Sequence, residues 1–317
     1  MKFVKFPSLT NTYQEKFINK IQLLDVEIWT VTEKIHGANM GIYCDGNDIK
    51  VASRNQIVGL DFFNCGPVIN KYKNDILTLW ENLNKPKYMI VYGEFFGGLY
   101  NGKSGDTAKK VQKGVNYHYE NDFLAFNALC VESGKSDVWY DTAVLNSTLT
   151  NHKLSTVPIL FTGSLMECLQ YKNDYDSVVP KMYELPSESN VCEGNVIMPA
   201  NGCDYVKDGI FLGLKNKNSK WSEKSKAPKL PVEVNEEVTK LTEILCSYCT
   251  KNRFSNVMSK EGEFDKKQIG KYLGLLQKDC WEDYLSDGNL VPSEKHEKKY
   301  MSSQLTNVAR PIVLSEM

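Results

Sequence analysis

One lysine in this sequence stands where it could act as a nucleophile. Lys34 lies in Thr32-Glu33-Lys34-Ile35-His36-Gly37-Ala38-Asn39, directly after a β-rich stretch from Glu27 to Thr32. A lysine at a strand end can project into a sheet-lined cleft, and Gly37 allows backbone to approach a ligand closely. A neutral amine can attack the α-phosphorus of a nucleotide and form a phosphoramidate. At its reference pKa, less than about one part in a thousand of a lysine is neutral near pH 7. Such a site therefore needs neighbouring cations or a metal. Taken alone, K-x-H-G also fits a surface lysine at a strand end.

Later segments supply what a nucleotide site needs. Arg54 follows Val51-Ala52-Ser53, Glu94 lies in Val91-Tyr92-Gly93-Glu94-Phe95, and Phe126 lies within Phe123-Leu124-Ala125-Phe126. Glu193 opens Glu193-Gly194-Asn195-Val196-Ile197, and Lys215 and Lys217 alternate in Leu214-Lys215-Asn216-Lys217. Alternation along a strand places Lys215 and Lys217 on one side. A ring can stack on Phe126. Carboxylates at Glu94 and Glu193 can hold a ribose hydroxyl or Mg²⁺. Arg54, Lys215 and Lys217 can bind phosphates and favour a neutral Lys34. Each residue also has a plain reading: Phe126 as core, Glu94 as a charge at a strand end.

The elements that must position these residues can be read from the pattern. Tyr13, Phe17, Ile18, Ile21 and Leu24 predict a helix over 12–24. Residues 40–44 and 48–53 flank an Asp45-Gly46-Asn47 turn and predict a hairpin. Val68, Ile69, Tyr72, Ile76, Leu79, Trp80 and Leu83 predict a helix over 68–83. Apolar strands follow at 88–96 and 123–131, separated by a long polar loop, and two more at 192–198 and 209–215. Short mixed elements fill 138–190. Ser222 to Val234, with Pro228 and Pro231, reads as a linker. Beyond it the pattern is helical, through Val238, Leu241, Leu245 and Tyr248, then Ile269, Tyr272 and Leu276, with a last helix near 294–309. The layout is an α+β domain over 1–225, a linker over 226–233 and an all-helical domain over 234–317.

Bulk properties bound the function classes. A chain of 317 residues with net charge −1 carries no global field for nucleic acid, so attraction must be local. Residues 215–229 offer such a cluster: Lys215, Lys217, Lys220, Lys224, Lys226 and Lys229 against a single acid, Glu223. No stretch approaches the roughly 20 apolar residues of a membrane span, and the start of the chain lacks a signal-peptide core. These features predict an intracellular, soluble protein and a monomer. Nine scattered cysteines argue against a disulfide framework. Cys246 and Cys249 have no zinc-like partners and read as packed thiols.

In order, the chemical segments resemble the motifs of the RNA ligase 2 family, which includes phage RNA ligases and kinetoplastid RNA-editing ligases. The likeness spans nearly the whole chain. It extends through Pro7-Ser8-Leu9, Tyr13-Gln14-Glu15-Lys16-Phe17-Ile18, the run Lys217 to Glu223-Lys224, and Arg310-Pro311. The family carries His-Gly after the lysine, where DNA ligases and capping enzymes usually carry Asp-Gly. The resemblance implies an ATP-grasp-like nucleotidyltransferase domain of antiparallel sheets with flanking helices, then a helical domain. It implies Lys34 as the lysine that becomes Lys–AMP, with ATP and Mg²⁺ (or Mn²⁺) as cofactors. Glu33, Ile35, Asn39 and Val196 would contact the nucleotide, Arg54 a phosphate or the ribose, and Glu94 the ribose. Phe126 would stack on adenine, His36 would orient the triphosphate or metal, Glu193 would serve metal or Lys34, and Lys215 and Lys217 would bind phosphates. The partner would be RNA with 5′-phosphate and 3′-hydroxyl ends, at nicks in duplexes. Two departures stand out: Asn127 where the family usually has aspartate, and Met198 where it often has lysine. They leave a second reading, an RNA-end-binding protein with an impaired ligase fold.

Overall fold

The turn at Asp45-Gly46-Asn47 joins the two strands of a hairpin. The Asp45 carboxylate accepts the backbone N–H groups of Asn47 (3.1 Å) and Asp48 (2.9 Å), and Gly46 takes a positive φ of 87°. The flanking strands pair from Cys44 with Ile49 to Met40 with Ser53. The computed structural model describes residues 1–134, 136–149, 152–221, 236–261, 265 and 268–315. These divide into two compact units, Met1–Asn218 and Ser219–Met317. The linker predicted at 226–233 lies outside the described residues.

The first unit holds two main sheets, with strands numbered along the chain. The larger sheet has the order β5 (Ile57–Val58), β4 (Ile49–Ser53), β3 (Ala38–Cys44), β6 (Tyr88–Gly97), β7 (Asn121–Val131) and β8 (Val138–Tyr140). A short β9 (Ser155–Thr156) runs parallel to β7. The smaller sheet has the order β1 (Thr10–Asn11), β14 (Leu214–Lys217), β11 (Gly194–Pro199), β2 (Trp29–Glu33) and β10 (Ile159–Gly163). A ribbon of β12 (Val206–Lys207) and β13 (Ile210–Phe211) completes the strands. The pairing is antiparallel except for β1 with β14 and β7 with β9, so the wholly antiparallel expectation is corrected at two short edges.

Alternation decides which side chains meet. One face of the larger sheet, with Met40, Ile42, Met89, Val91, Phe95 and Phe123, packs on α2 (Gly66–Asn82) through Val68, Ile69, Tyr72, Ile76 and Leu79. Its other face carries Tyr43, Ile90, Tyr92 and Leu129, covered by the N-terminal arm with Phe6 at its centre. Tyr43 and Tyr92 each donate a hydroxyl hydrogen bond to the Val4 carbonyl, at 3.0 and 2.8 Å. In the smaller sheet, Trp29, Val31, Ile197 and Leu214 pack on α1 (Glu15–Ile21) and α4 (Leu165–Gln170).

Two predicted elements change. The helix predicted over 12–24 shrinks to Glu15–Ile21, because Thr10 and Asn11 pair with Leu214 and Lys215 and the chain must then turn. Tyr13 is consequently exposed rather than core, while Leu24 packs partly buried against the smaller sheet's core. The strand predicted over 209–215 splits at Leu212-Gly213 into β13 and β14. A Cβ at Gly213 would fall 2.5 Å from the Leu9 side chain, so the break lets the N-terminal arm pass closely.

The second unit is helical in its described residues: α5 (Glu236–Ser247), α6 (Lys251–Glu261), α7 (Ile269–Ser286) and α8 (Lys295–Leu314). Its core contains Leu245, Tyr248, Phe254, Leu276, Met301 and Leu305, with Cys246 and Cys249 buried among them as free thiols. Buried Arg253 bridges Asp279 (2.6 Å) and Asp283 (2.8 Å). The sequence did not single out α6, which is the most polar of the four.

Candidate active site

The smaller sheet gathers the cations. Val196 pairs with Thr32 on one side and Lys215 on the other, and Gly194 pairs with Lys217. Directly opposed residues share a face, so Thr32, Val196, Lys215 and Lys217 point together. Lys34 continues that parity beyond β2, and its backbone N–H donates to the Gly194 carbonyl at 2.9 Å. Gly194 has φ 137°, and a Cβ there would lie 2.1 Å from the Asn216 carbonyl oxygen. Only glycine fits that approach, which leaves Glu193 turned into the cleft.

Glu193 is the hub. Its Oε2 lies 2.9 Å from Lys34 Nζ and 3.3 Å from His36 Nδ1, and its Oε1 lies 2.7 Å from Lys217 Nζ. Its side chain is 2% exposed. Burial alone would raise its carboxyl, but the Lys217 and Lys34 ammonium groups and the His36 ring outweigh that and hold it well below the usual carboxylate range. The arrangement aims Nζ of Lys34 and fixes a second ammonium beside it, as a site for an incoming phosphate requires.

The larger sheet supplies the other wall. Asn39 pairs with Glu94 and Gly41 with Ala52, so Asn39, Glu94 and Arg54 share the face opposite α2. Glu94 Oε1 accepts the Gly37 N–H at 3.2 Å. Burial pushes its carboxyl up to about 7, against the pull of Lys34 and Arg54 and with help from Glu193. Arg54 donates to Ser8 Oγ at 3.1 Å. Phe126 is the extra residue of a β-bulge: Tyr92 pairs with Asn127 and Gly93 with Ala125. The bulge turns Phe126 and Asn127 to the same side as Tyr92. Phe126 is half-buried, its ring 5.0 Å from Phe6 and edge-on to it. Asn127 is buried and donates to Tyr205 Oη at 2.6 Å, while its Oδ1 has no hydrogen-bond partner among the described residues. Met198 is buried too, so an apolar side chain fills the place where family members often carry a charge.

Two predicted contact residues have side chains engaged within the protein. Glu33 faces away from Lys34, and its carboxylate accepts Ser177 Oγ (2.6 Å) and Val178 N–H (2.8 Å), so only its backbone can face a nucleotide. Burial pushes it up to about 7, against those hydrogen bonds. His36 turns inward onto Glu193 rather than outward to a triphosphate. Ile35 is buried. Sequence reasoning missed Tyr117, whose hydroxyl accepts the His36 N–H at 2.7 Å, and Gln112, whose amide donates to the Gly37 carbonyl at 3.4 Å. Both lie in the stretch read as loop, where no periodicity marks a buried residue.

No group of three or more His, Cys, Asp or Glu side chains among the described residues could hold a metal ion by itself. The donor set fits a divalent cation that arrives on phosphate oxygens, with Glu94 or Glu193 as a single carboxylate partner. No helix of the described residues is long and apolar enough to cross a membrane.

The site thus joins a lysine on a buried carboxylate, a second lysine on the same carboxylate and a half-buried aromatic ring. Residues 27–229 match the family described as RNA ligase, and residues 232–311 match the T4 RNA ligase 2 C-terminal region. The chain belongs to the RNA ligase 2 family of covalent nucleotidyltransferases. It is 28% identical over 213 residues to the mitochondrial RNA-editing ligase 1 of Trypanosoma brucei brucei, covering 55% of this chain. It spans about half of that relative's length (45%). A solved apo variant of a Naegleria gruberi RNA ligase aligns at TM-score 0.47 with 15% identity, covering 69% of this chain and 56% of that one. A form of that ligase with ATP and Mn aligns at TM-score 0.47 with 14% identity, over 69% and 57% of the two chains.

Proposed function

We propose that the chain is an ATP-dependent RNA ligase of nucleotidyltransferase fold, working through a Lys34–AMP intermediate. The observation that carries the reading is Lys34 Nζ held on buried Glu193, with Lys217 on the same carboxylate. Neutral Lys34 attacks the α-phosphorus of ATP, forming a P–N bond as the bond to pyrophosphate breaks. Lys217 and Lys215, on the same sheet face, take the negative charge that develops on the phosphates. Adenine stacks on Phe126, and Glu94 holds the ribose. Glu94 or Glu193 would give a single carboxylate to a divalent cation, Mg²⁺ or Mn²⁺, that would come with the nucleotide and would offset phosphate charge.

The AMP then passes to a 5′-phosphate RNA end, and a 3′-hydroxyl displaces it to close the nick. The lysines of 215–229 would attract the RNA backbone. The reading as an impaired end-binding protein rests on Asn127 and Met198 alone, and neither touches Lys34.

The test is sealing of nicked duplexes that vary RNA and DNA on each side of the nick. RNA on the 3′-hydroxyl side should be required, through the 2′-hydroxyl or A-form geometry, while the 5′-phosphate strand tolerates DNA. Equal sealing of an all-DNA nick would refute the RNA assignment, and no sealing of any nick would refute ligation.

A further inference from the structure

We propose that the residues on either side of Lys34 are held by one hydrogen-bonded circuit, in which Tyr117 and Ser177 are positioning residues for the nucleophile. The inference rests on the reading of Lys34 as the adenylated lysine.

The circuit can be followed atom by atom. Glu33 Oε1 accepts Ser177 Oγ–H at 2.6 Å, and its Oε2 accepts the Val178 N–H at 2.8 Å. Ser177 N–H donates to the Asn190 carbonyl at 2.9 Å. The Asn190 amide donates to the Asn116 carbonyl at 2.6 Å, and Asn190 Oδ1 accepts the Asn116 N–H at 2.8 Å. The next residue, Tyr117, accepts the His36 N–H at 2.7 Å and closes the ring. Gln112 adds a contact to the Gly37 carbonyl. Thus two segments distant in sequence, 112–117 and 177–190, meet each other and grip both flanks of residue 34.

Burial gives the circuit its consequence. Glu33 and Tyr117 are 1% exposed, Ser177 0%, His36 5% and Asn190 7%. Water cannot easily replace a deleted partner there, so a lost hydroxyl leaves a buried donor or acceptor unmet or shifts the backbone. Among the described residues Lys34 has two other tethers, its N–H on the Gly194 carbonyl and its Nζ on Glu193, a carboxylate it shares with Lys217. Backbone geometry at 33–36 then sets the line of attack. A misplacement of about 1 Å at a reacting atom can cost roughly a hundredfold in rate.

A purely structural network predicts something different. It would lower the melting temperature yet leave the adenylation rate of the folded protein alone. The experiment uses the full chain with Tyr117→Phe, Ser177→Ala and the double variant. Three quantities are read: the single-turnover rate of AMP transfer to Lys34 at saturating ATP, the ATP concentration for half-maximal rate, and the melting temperature. Each folded single variant should be slower by about tenfold or more, with half-saturation within about twofold of wild type. The double variant should be slower than the worse single by less than the product of the two losses, because both cuts loosen one circuit that the Val178 N–H on Glu33 still partly closes. Rates within about twofold of wild type would overturn the proposal, as would losses that multiply in the double. Should Tyr117→Phe fail to fold, Ser177→Ala decides by the same rate and half-saturation criteria. A wild-type protein that forms no adduct would instead remove the adenylation reading, and the proposal with it.

Discussion

At the scale of single residues, the two cleft carboxylates respond to pH in opposite senses. Glu193 is held below its unfolded value by Lys217, Lys34 and His36 despite its burial. The stability it contributes is therefore present above about pH 4.5 and is lost as pH falls through its depressed folded value. Glu193→Gln leaves two ammonium groups without their shared carboxylate and should cost about 3 kcal/mol near neutrality, a deficit that shrinks in acid. Glu94 behaves the other way. Its burial raises the folded carboxyl from 4.5 to about 7, so the folded protein keeps a proton the unfolded chain releases. That contribution is present below 4.5 and is lost as pH rises through about 7. Glu94→Gln should gain stability relative to wild type over that interval. Denaturant midpoints across the pH series check both; parallel curves for the two variants would contradict the charge layout. Some of these groupings were legible in the sequence: Lys34 and Lys217 meet on Glu193, and Glu94 lies within electrostatic reach of Lys34, Arg54 and Glu193. Their orientations were less so. Glu33 and His36 were read as facing the nucleotide, but pattern alone cannot show that Ser177 captures one and Glu193 the other.

At the scale of elements, the hairpin, the long helix and the strands at 88–96 and 123–131 followed from alternation and turn chemistry. Burial on both faces of a sheet leaves a strong apolar signal. What escaped was the bulge. A strand read as regular would place Phe126 and Asn127 on opposite faces, whereas the shift between Tyr92 and Gly93 puts both on one. The bulge therefore presents a stacking ring and a buried amide side by side. Phe126→Ala should raise the ATP concentration for half-maximal Lys34 adenylation by about tenfold or more, since base–aromatic stacking is worth about 1–3 kcal/mol. Adenylation titrated against ATP checks this, and an unchanged half-saturation would show that the ring serves packing with Phe6 instead. Contacts such as Tyr117 to His36 were illegible for a different reason: they join loops far apart in sequence, and nothing local encodes such a pairing.

At the scale of the whole molecule, under the proposed function chemistry on ATP is expected in the first unit and positioning of the RNA end is expected from the helical unit. Every proposed nucleotide contact, through Lys217, lies in the unit Met1–Asn218, which carries its own cores. A chain ending at Asn218 should fold alone and still adenylate Lys34, yet lose most sealing of 5′-phosphate nicks. It should retain more activity on strands supplied already adenylated, because these bypass the first two transfers. Rates for truncated and full-length protein on the two substrates test this; equal losses on both would show that the helical unit only adds general affinity. The claim beneath all of these is that Lys34 itself takes AMP. Its most direct measurement is the intact mass of the full chain after incubation with ATP and Mg²⁺, beside Lys34→Ala treated identically. The account predicts a gain of one AMP in the wild type and none in the variant. An AMP adduct that persists in Lys34→Ala would contradict it.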